Sequence, residues 1–188
     1  MSSLNGVLPV DKPAGPTSHD IVDRARRALR TRRIGHTGTL DPFASGLLLL
    51  CVGPATRLAE YLTALPKSYE ATLRLGVATT TDDAEGEPVR TSDAWKAVDE
   101  SAVRTAFERQ TGDILQVPPA YSAKRVAGER MYDVARRGGT VELEAVPVHV
   151  SRIELTRFEP PEVDFTVDCS SGTYIRAIAR DVGEQLGA

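Results

Sequence analysis

Residues 68–77 alternate strictly between polar and apolar side chains, and this pattern constrains the fold more than any other feature of the sequence. Successive side chains of a β-strand point to opposite faces, so a period of two marks a strand with one buried face. The apolar set consists of Tyr69, Ala71, Leu73, Leu75 and Val77. The segment is therefore predicted to be a half-buried strand of a sheet.

Other segments predict a mixture of helices and strands. Apolar residues at helical spacing follow the good N-cap residues Thr17 and Ser18 and continue to about Arg30. Further helices are predicted from Pro54, at 97–110, at 129–137 and at 174–186, and further strands at 6–10, from Gly46, at 121–126, at 148–155 and at 163–169. This order fits an α+β fold or a mixed α/β sheet. The length of 188 residues suits a single domain.

The composition is that of an ordinary soluble globular protein, with 41% hydrophobic and 26% charged residues. The longest apolar stretch, 46–53, is too short to cross a bilayer and predicts a strand buried on both faces. Residues 1–6 lack the features of a secretory signal, so we expect a cytoplasmic protein. Cys51 and Cys169 are accordingly expected to be buried, reduced thiols. The three histidines are too scattered to predict a metal site.

Charge is distributed unevenly along the chain, although the net charge is only -3. Seven Lys and Arg residues lie between Lys12 and His36 against two acidic ones, and five lie at 124–137 against two. Residues 82–100 carry seven carboxylates against two basic residues. This polarity suits a protein with one RNA-facing side, and it equally suits solvated helix faces.

The segment 35–46 is the strongest candidate for chemistry. It is a Gly-rich loop that contains Asp41 followed by Pro42, and it lies just before the apolar stretch. Pro42 fixes its own backbone and disfavours the helical region at Asp41, so the carboxylate is well held. An Asp-Pro pair in a loop is also typical of a simple turn, and the local pattern leaves both interpretations open.

Five segments resemble the TruB family of pseudouridine synthases in the family's order across nearly the whole chain. The segment 35–48, Gly-His-Thr-Gly-Thr-Leu-Asp-Pro-Phe-Ala-Ser-Gly-Leu-Leu, resembles the family's catalytic motif. The other four are 11–18, 67–71, 119–124 and 169–176. The resemblance implies an α+β fold with a mixed, largely antiparallel sheet flanked by helices, which is the pseudouridine synthase catalytic fold.

The resemblance also implies a reaction and the residues that perform it. Uridine would become pseudouridine at position 55 in the T-loop of tRNA, after the base is flipped out of its stack. Asp41 takes the role of the essential aspartate, Arg176 that of the basic residue that pairs with it, and Tyr69 that of the ring on the target uracil. No atom is gained or lost in the isomerisation, so we expect no cofactor.

Four further residues are implied as substrate-binding. His36 resembles the family histidine near the flipped base, and Tyr174 would support Arg176 from two residues before it. Lys12 and Lys124 are expected to contact RNA phosphates. Pattern alone also allows ordinary roles: a core aromatic for Tyr69, a loop histidine without catalytic function for His36, and a surface arginine for Arg176.

The resemblance suggests a domain organisation and partners as well. We expect one catalytic domain over 1–188, with an RNA-gripping insertion at about 114–146, apparently truncated and without the family's C-terminal PUA domain. The expected partner is the T-arm stem-loop of tRNA, with no membrane, no obligate protein partner and a monomeric state. Two alternatives stay open: a guide-RNA-dependent pseudouridine synthase subunit, and a non-catalytic RNA-binding or RNA-remodelling module.

Overall fold

The computed structural model describes residues 4–121, 125–126, 129–130 and 143–188. The chain divides into two compact units, Met1–Leu65 and Pro66–Ala188. Within the described residues, no helix is both long enough and apolar enough to cross a membrane.

The first unit is a three-stranded antiparallel sheet with a helix packed on one face. Its elements are β1 (Gly6–Lys12), α1 (Ser18–Leu29), β2 (Ile34–His36), β3 (Gly46–Val52), a 3-10 helix (Gly53–Leu58) and α2 (Ala59–Thr63). The strand order β1-β3-β2 places the leucine-rich strand in the centre. Alternate residues of β3, including Leu48 and Leu50, pack with Ile21 and Val22 of α1. Burying each such side chain contributes about 1.5–3 kcal/mol.

Helix α1 begins at a capping box, as the N-cap residues predicted. The hydroxyl of Thr17 accepts a hydrogen bond from the backbone N–H of Asp20 at 3.1 Å, and the backbone N–H of Thr17 donates to the Asp20 carboxylate at 2.9 Å. Two N–H groups that lack partners within the helix are thereby satisfied. The apolar face of α1 is fixed on the sheet from its first turn.

The prediction that β3 is buried on both faces is wrong at its N-terminal end. Leu47 is 67% exposed because α1 covers the opposite face of the sheet. The prediction holds at the C-terminal end, where Cys51 is fully buried. Leu58 and Tyr61, predicted as one side of a helix beginning at Pro54, are likewise exposed, and this stretch divides into the 3-10 helix and α2.

The second unit is built on a four-stranded antiparallel sheet in the order β4-β11-β10-β7. Its elements are β4 (Lys67–Arg74), β5 (Val77–Thr79), β6 (Pro88–Thr91), a 3-10 helix (Ala94–Ala97), α3 (Glu100–Arg109), β7 (Gly112–Gln116), β8 (Arg125–Val126), β9 (Glu129–Arg130), β10 (Val146–Glu159), β11 (Glu162–Cys169) and α4 (Ile175–Leu186). Helices α3 and α4 share one core with the sheet. The Phe107 and Phe165 rings lie 5.1 Å apart within it. Every described strand pairing in the chain is antiparallel, which confirms the α+β prediction.

Several short elements differ from the prediction. Strand β2 lies in a segment predicted as loop, and β5 and β6 form a hairpin around the acidic stretch 79–87. Residues 114–116 belong to β7 and pair with β10; the insertion expected at about 114–146 stays a prediction. The helix predicted at 129–137 lies outside the described residues, except Glu129–Arg130, which form a strand.

Candidate functional site

The loop that carries Asp41 is held by the buried side chain of Lys12, at the end of β1. Its ammonium donates to the carbonyl oxygens of Pro13 at 3.0 Å, Pro42 at 3.1 Å and Ala44 at 2.6 Å. Burial lowers the pKa of Lys12 and the nearby carboxylate of Asp41 raises it. Burial has the larger effect, so the pKa lies below its ordinary value. An ammonium has three protons, and three carbonyls receive them. Lys12 is therefore not placed as the predicted phosphate contact.

Two further residues of the segment after β1 hold the same loop. The backbone N–H of Gly15, whose φ is 107°, donates to the Pro42 carbonyl at 2.8 Å. This conformation favours glycine, because other side chains are strained at such a φ. The hydroxyl of Ser18 donates to the Leu40 carbonyl at 3.2 Å and accepts from the Leu40 N–H at 3.0 Å. The backbone is thus fixed on both sides of Asp41.

His36 ends β2 and orients its ring on the same loop. Its Nδ1 lies 2.6 Å from the carbonyl oxygen of Gly38. A carbonyl can only accept, so Nδ1 carries the proton in this bond, and a neutral ring keeps Nε2 as an acceptor. The bond from Nδ1 therefore orients the half-buried imidazole on this loop.

In the second unit, Arg176 lies in the first turn of α4 with a side chain only 10% exposed. Its guanidinium donates to the carbonyls of Thr81 at 2.6 Å and Tyr121 at 3.0 Å, and it lies 3.3 Å from a carboxylate oxygen of Asp83. The interpretation of Arg176 as a surface arginine is therefore wrong. The planar guanidinium is fixed in direction by groups from two loops.

Asp83 is fixed by its own loop, between β5 and β6. Its carboxylate accepts from the Thr81 hydroxyl at 2.6 Å and from the Glu85 N–H at 3.0 Å. The Thr79 hydroxyl donates to the Asp83 carbonyl at 2.7 Å. The loop that contacts Arg176 is therefore ordered by local hydrogen bonds, as Asp and Thr favour in turns.

One turn after Arg176, Arg180 links α4 to two segments. It donates to the carboxylate of Asp82 at 3.0 Å and to the Val117 carbonyl at 2.9 Å, and it also bonds Asp181. Burial raises the pKa of Asp82 and Arg180 lowers it, with a net rise. Burial lowers the pKa of Arg180, but Asp181 and Asp82 leave it above its ordinary value. Both pKa values are raised: at Asp82 burial dominates and disfavours the charged form, whereas at Arg180 the two facing carboxylates dominate and favour it.

The two predicted tyrosines occupy different elements of the second unit. Tyr69 lies in β4 opposite Val167, half-buried against the core, which agrees with the alternating pattern. Tyr174 is the N-cap residue of α4, and its backbone is hydrogen-bonded by the side chain of Gln116. Lys124 lies outside the described residues. The first unit thus carries Lys12, His36 and Asp41, and the second carries Tyr69, Tyr174 and Arg176.

A family model described as TruB family pseudouridylate synthase (N terminal domain) matches residues 26–175. The chain belongs to the TruB family. It is 50% identical over 186 residues to a tRNA pseudouridine synthase B of Mycobacterium tuberculosis. The aligned region covers 97% of this chain and 62% of that relative. A relative of the same name from Opitutus terrae is 50% identical over 184 residues, covering 98% of this chain and 76% of the relative.

Solved structures of related proteins resemble the fold of this TruB-family chain. A crystal structure of a Cbf5-Nop10-Gar1 complex matches with a TM-score of 0.72 and 31% identity, over 97% of this chain and 44% of that one. A structure of an H/ACA RNP bound to a substrate RNA containing 2′-deoxyuridine matches with a TM-score of 0.68 and 28% identity. This match covers 97% of this chain and 43% of that one. The chain spans 62% of the length of the M. tuberculosis relative.

Three residues of the site have no counterpart among the predicted ones: Asp83, Gln116 and Arg180. In the sequence, Asp83 is one of the seven carboxylates of residues 82–100, and Gln116 has no distinguishing pattern. The Gln116–Tyr174 and Arg180–Asp82 contacts join residues 58 and 98 positions apart, which local periodicity does not reveal. The Thr-Asp-Asp sequence at 81–83 was the one available signal, because such residues order turns.

Proposed function

We propose that this chain carries the catalytic part of an enzyme that converts uridine to pseudouridine at position 55 in the T-loop of tRNA. The observation that carries the proposal is 50% identity, over 97% of the chain, to relatives named tRNA pseudouridine synthase B. The hydrogen-bonded loop around Asp41 supports it, because such a reaction needs a carboxylate held in one geometry. The protein acts without a cofactor and as a monomer in this proposal.

The reaction breaks the C1′–N1 bond of uridine, turns the uracil and joins C5 to C1′. Breaking the bond develops positive charge on the sugar, which a carboxylate stabilises or traps covalently. We assign this role to Asp41. The base must first leave its stack, at a cost of a few kcal/mol. Tyr69 is proposed to receive the flipped uracil on its ring, and His36 to contact the RNA near the flipped base.

Arg176 is proposed as the cation that favours the ionised form of the catalytic carboxylate. A positive charge nearby stabilises a carboxylate anion, and a buried guanidinium keeps its charge at every relevant pH. The contacts of Arg176 with Thr81, Asp83 and Tyr121 support this role by limiting where its guanidinium can lie. Tyr174 supports Arg176 through the start of α4, and Lys124 is proposed to contact a phosphate.

A guide-RNA-dependent activity is the second candidate function. The likeness in fold to the Cbf5-Nop10-Gar1 complex and to the H/ACA RNP favours it. The lower identity to these structures, 31% and 28%, favours the first candidate. A bare stem-loop substrate separates the two, since only the first candidate modifies it without guide RNA or protein partners.

The test is tritium release from C5-labelled uridine in a synthetic T-arm stem-loop, because C5 loses its hydrogen when it bonds to C1′. The chain and the complete product of its gene are compared with their Asp41→Asn forms, and Asp93→Asn, at an 81% exposed position, is the control. We expect release that disappears only with Asp41→Asn. Release that survives Asp41→Asn would remove Asp41 from the chemistry. No release from either wild-type form would refute the first candidate.

A further inference from the structure

Gln116 ends β7 with a side chain that is fully buried and hydrogen-bonded in both directions to one residue of another element. Its Nε2 donates to the Tyr174 carbonyl at 3.1 Å, and its Oε1 accepts from the Tyr174 N–H at 2.8 Å. The pairing determines the amide orientation, because the N–H requires an oxygen and the carbonyl requires a donor. Few side chains can replace glutamine here.

The residue that Gln116 holds determines where α4 begins. Tyr174 is the N-cap of α4, and no side chain within the helix caps it. Its carbonyl accepts from the Ile178 N–H at 3.2 Å, the first hydrogen bond of the helix, in addition to the bond from Gln116. Helix starts are usually fixed by an N-cap side chain of Ser, Thr, Asp or Asn. At α4 a glutamine from a distant strand instead hydrogen-bonds the backbone of the N-cap residue itself.

The start of α4 controls the geometry of Arg176, two residues further on. The guanidinium of Arg176 is bound to Thr81, Asp83 and Tyr121, so a displaced helix start would strain these contacts. The next residue after Gln116, Val117, accepts a hydrogen bond from Arg180 one turn along α4. Hydrogen bonds therefore link the end of β7 to Tyr174, which precedes Arg176, and to Arg180, which follows it.

We propose that Gln116 is a positioning residue for the isomerisation. It fixes the backbone of Tyr174 and, through the first turn of α4, the placement of Arg176. The proposal rests on the function proposed above for this chain. Because Gln116 is fully buried, it acts in this proposal on the rate of the chemical step and leaves RNA affinity unchanged.

The first test compares Gln116→Met with wild type in single-turnover tritium release and in binding of the T-arm stem-loop. Methionine matches the length of glutamine and removes both hydrogen bonds. A displacement of about 1 Å can cost on the order of a hundredfold, so we expect a rate about ten- to a hundredfold lower. We expect the stem-loop Kd to stay within about twofold, since no phosphate contact is removed.

Gln110→Met is the matched control, because Gln110 is a buried glutamine of the same unit at the C-terminal cap of α3. Both variants are compared well below their unfolding midpoints. An equal rate for Gln116→Met and wild type would overturn the proposal. If Gln116→Met lowers the unfolding midpoint but leaves the rate unchanged, the proposal is overturned as well, because that is the effect of a purely structural contact.

Gln116→Glu provides a readout that a structural role does not move. The ionised carboxylate can accept from the Tyr174 N–H, but its second oxygen repels the Tyr174 carbonyl. The protonated carboxyl can both accept and donate, as glutamine does. We therefore expect the rate of Gln116→Glu relative to wild type to recover as the pH falls. A ratio independent of pH would contradict the proposal.

Hydrogen exchange at the Tyr174 amide tests the contact in the unmodified protein, whether or not the variants fold. We expect protection comparable to that of amides in the inner strand β11, and rapid exchange would overturn the proposal. Wild-type tritium release measures the proposed function separately. An inactive wild type refutes that function, whereas an active wild type with an equally active Gln116→Met refutes only the role of Gln116.

Discussion

Replacing Lys12 with methionine distinguishes two roles for this residue. The sequence predicts a contact with an RNA phosphate, whereas the structure supports a role in holding the loop of Asp41. A lysine that contacts a backbone phosphate contributes to RNA affinity and to its salt dependence. In the structure, the ammonium is buried and donates to the carbonyls of Pro13, Pro42 and Ala44. Lys12→Met is therefore expected to disturb the loop of Asp41 and leave RNA binding unchanged.

The expected change in the free energy of unfolding of Lys12→Met is the difference between two opposing contributions. A hydrogen bond to a charged group contributes about 1.5–3 kcal/mol, and three such bonds are lost. The buried ammonium also costs several kcal/mol of desolvation, which methionine avoids. The lowered pKa of Lys12, caused first by burial, agrees with that cost. We expect a net loss of about 2–4 kcal/mol in the free energy of unfolding.

The pH dependence of this loss has a definite sign. A lysine whose pKa is lower in the folded state than its ordinary value of 10.5 makes the folded state release its proton first. Wild-type stability therefore rises with pH between the folded value and 10.5, relative to a variant without the amine. The difference between wild type and Lys12→Met should widen as the pH increases through that window.

The assay combines single-turnover tritium release with stem-loop binding over a salt series. We expect Lys12→Met to lower the rate by up to about a hundredfold, with the Kd and its salt slope unchanged. Lys96→Met is the control, because Lys96 is 60% exposed and pairs with Asp93. A weaker Kd together with a salt slope reduced by about one would refute the reasoning and restore Lys12 as a phosphate contact.

Two further predictions concern stability. Thr17→Ala removes the cap of α1 and should lower the free energy of unfolding by about 1 kcal/mol, measured as a lower urea midpoint at constant m. Thr105→Ala, at an exposed position within α3, is the control, and equal midpoints for the two variants would contradict the prediction. Burial raises the pKa of Asp82 above 3.8, so wild-type stability should fall as the pH rises through the folded value. Asp82→Asn should abolish that fall without destabilising the protein at neutral pH; lower stability there would show that the attraction of Arg180 outweighs burial.

Much of the fold could be predicted because its long elements carry clear periodicity. Strand β11 alternates along its whole length, and α1 has both an apolar stripe and cap residues. Strands β2, β5 and β6 have only three or four residues each, so no period is visible. They form through pairing with their neighbours, so their own sequence does not predict them.

The site was predictable only as far as motifs reach. The resemblance implies roles for Asp41, Tyr69 and Arg176, and the structure adds the hydrogen bonds that hold the loop of Asp41 and the side chain of Arg176. The partners of Arg176 could not be predicted, because two of them are backbone carbonyls, which every residue has. Gln116 illustrates the same limit: its amide meets Tyr174 across 58 positions, and only the packing of β7 beside α4 brings them together.

Among the described residues, two groups of cations differ in burial and contacts, which a count of basic residues does not reveal. Lys12, Arg176 and Arg180 donate to backbone carbonyls of loops, and each is buried or largely buried. The arginines at 24, 27, 30, 32 and 33 are exposed. Only exposed cations can neutralise a phosphate and release its counterions, so we expect the proposed RNA binding to depend on the second group. The first group instead sets the positions of loops, and a substitution there should change the rate of reaction rather than its salt dependence.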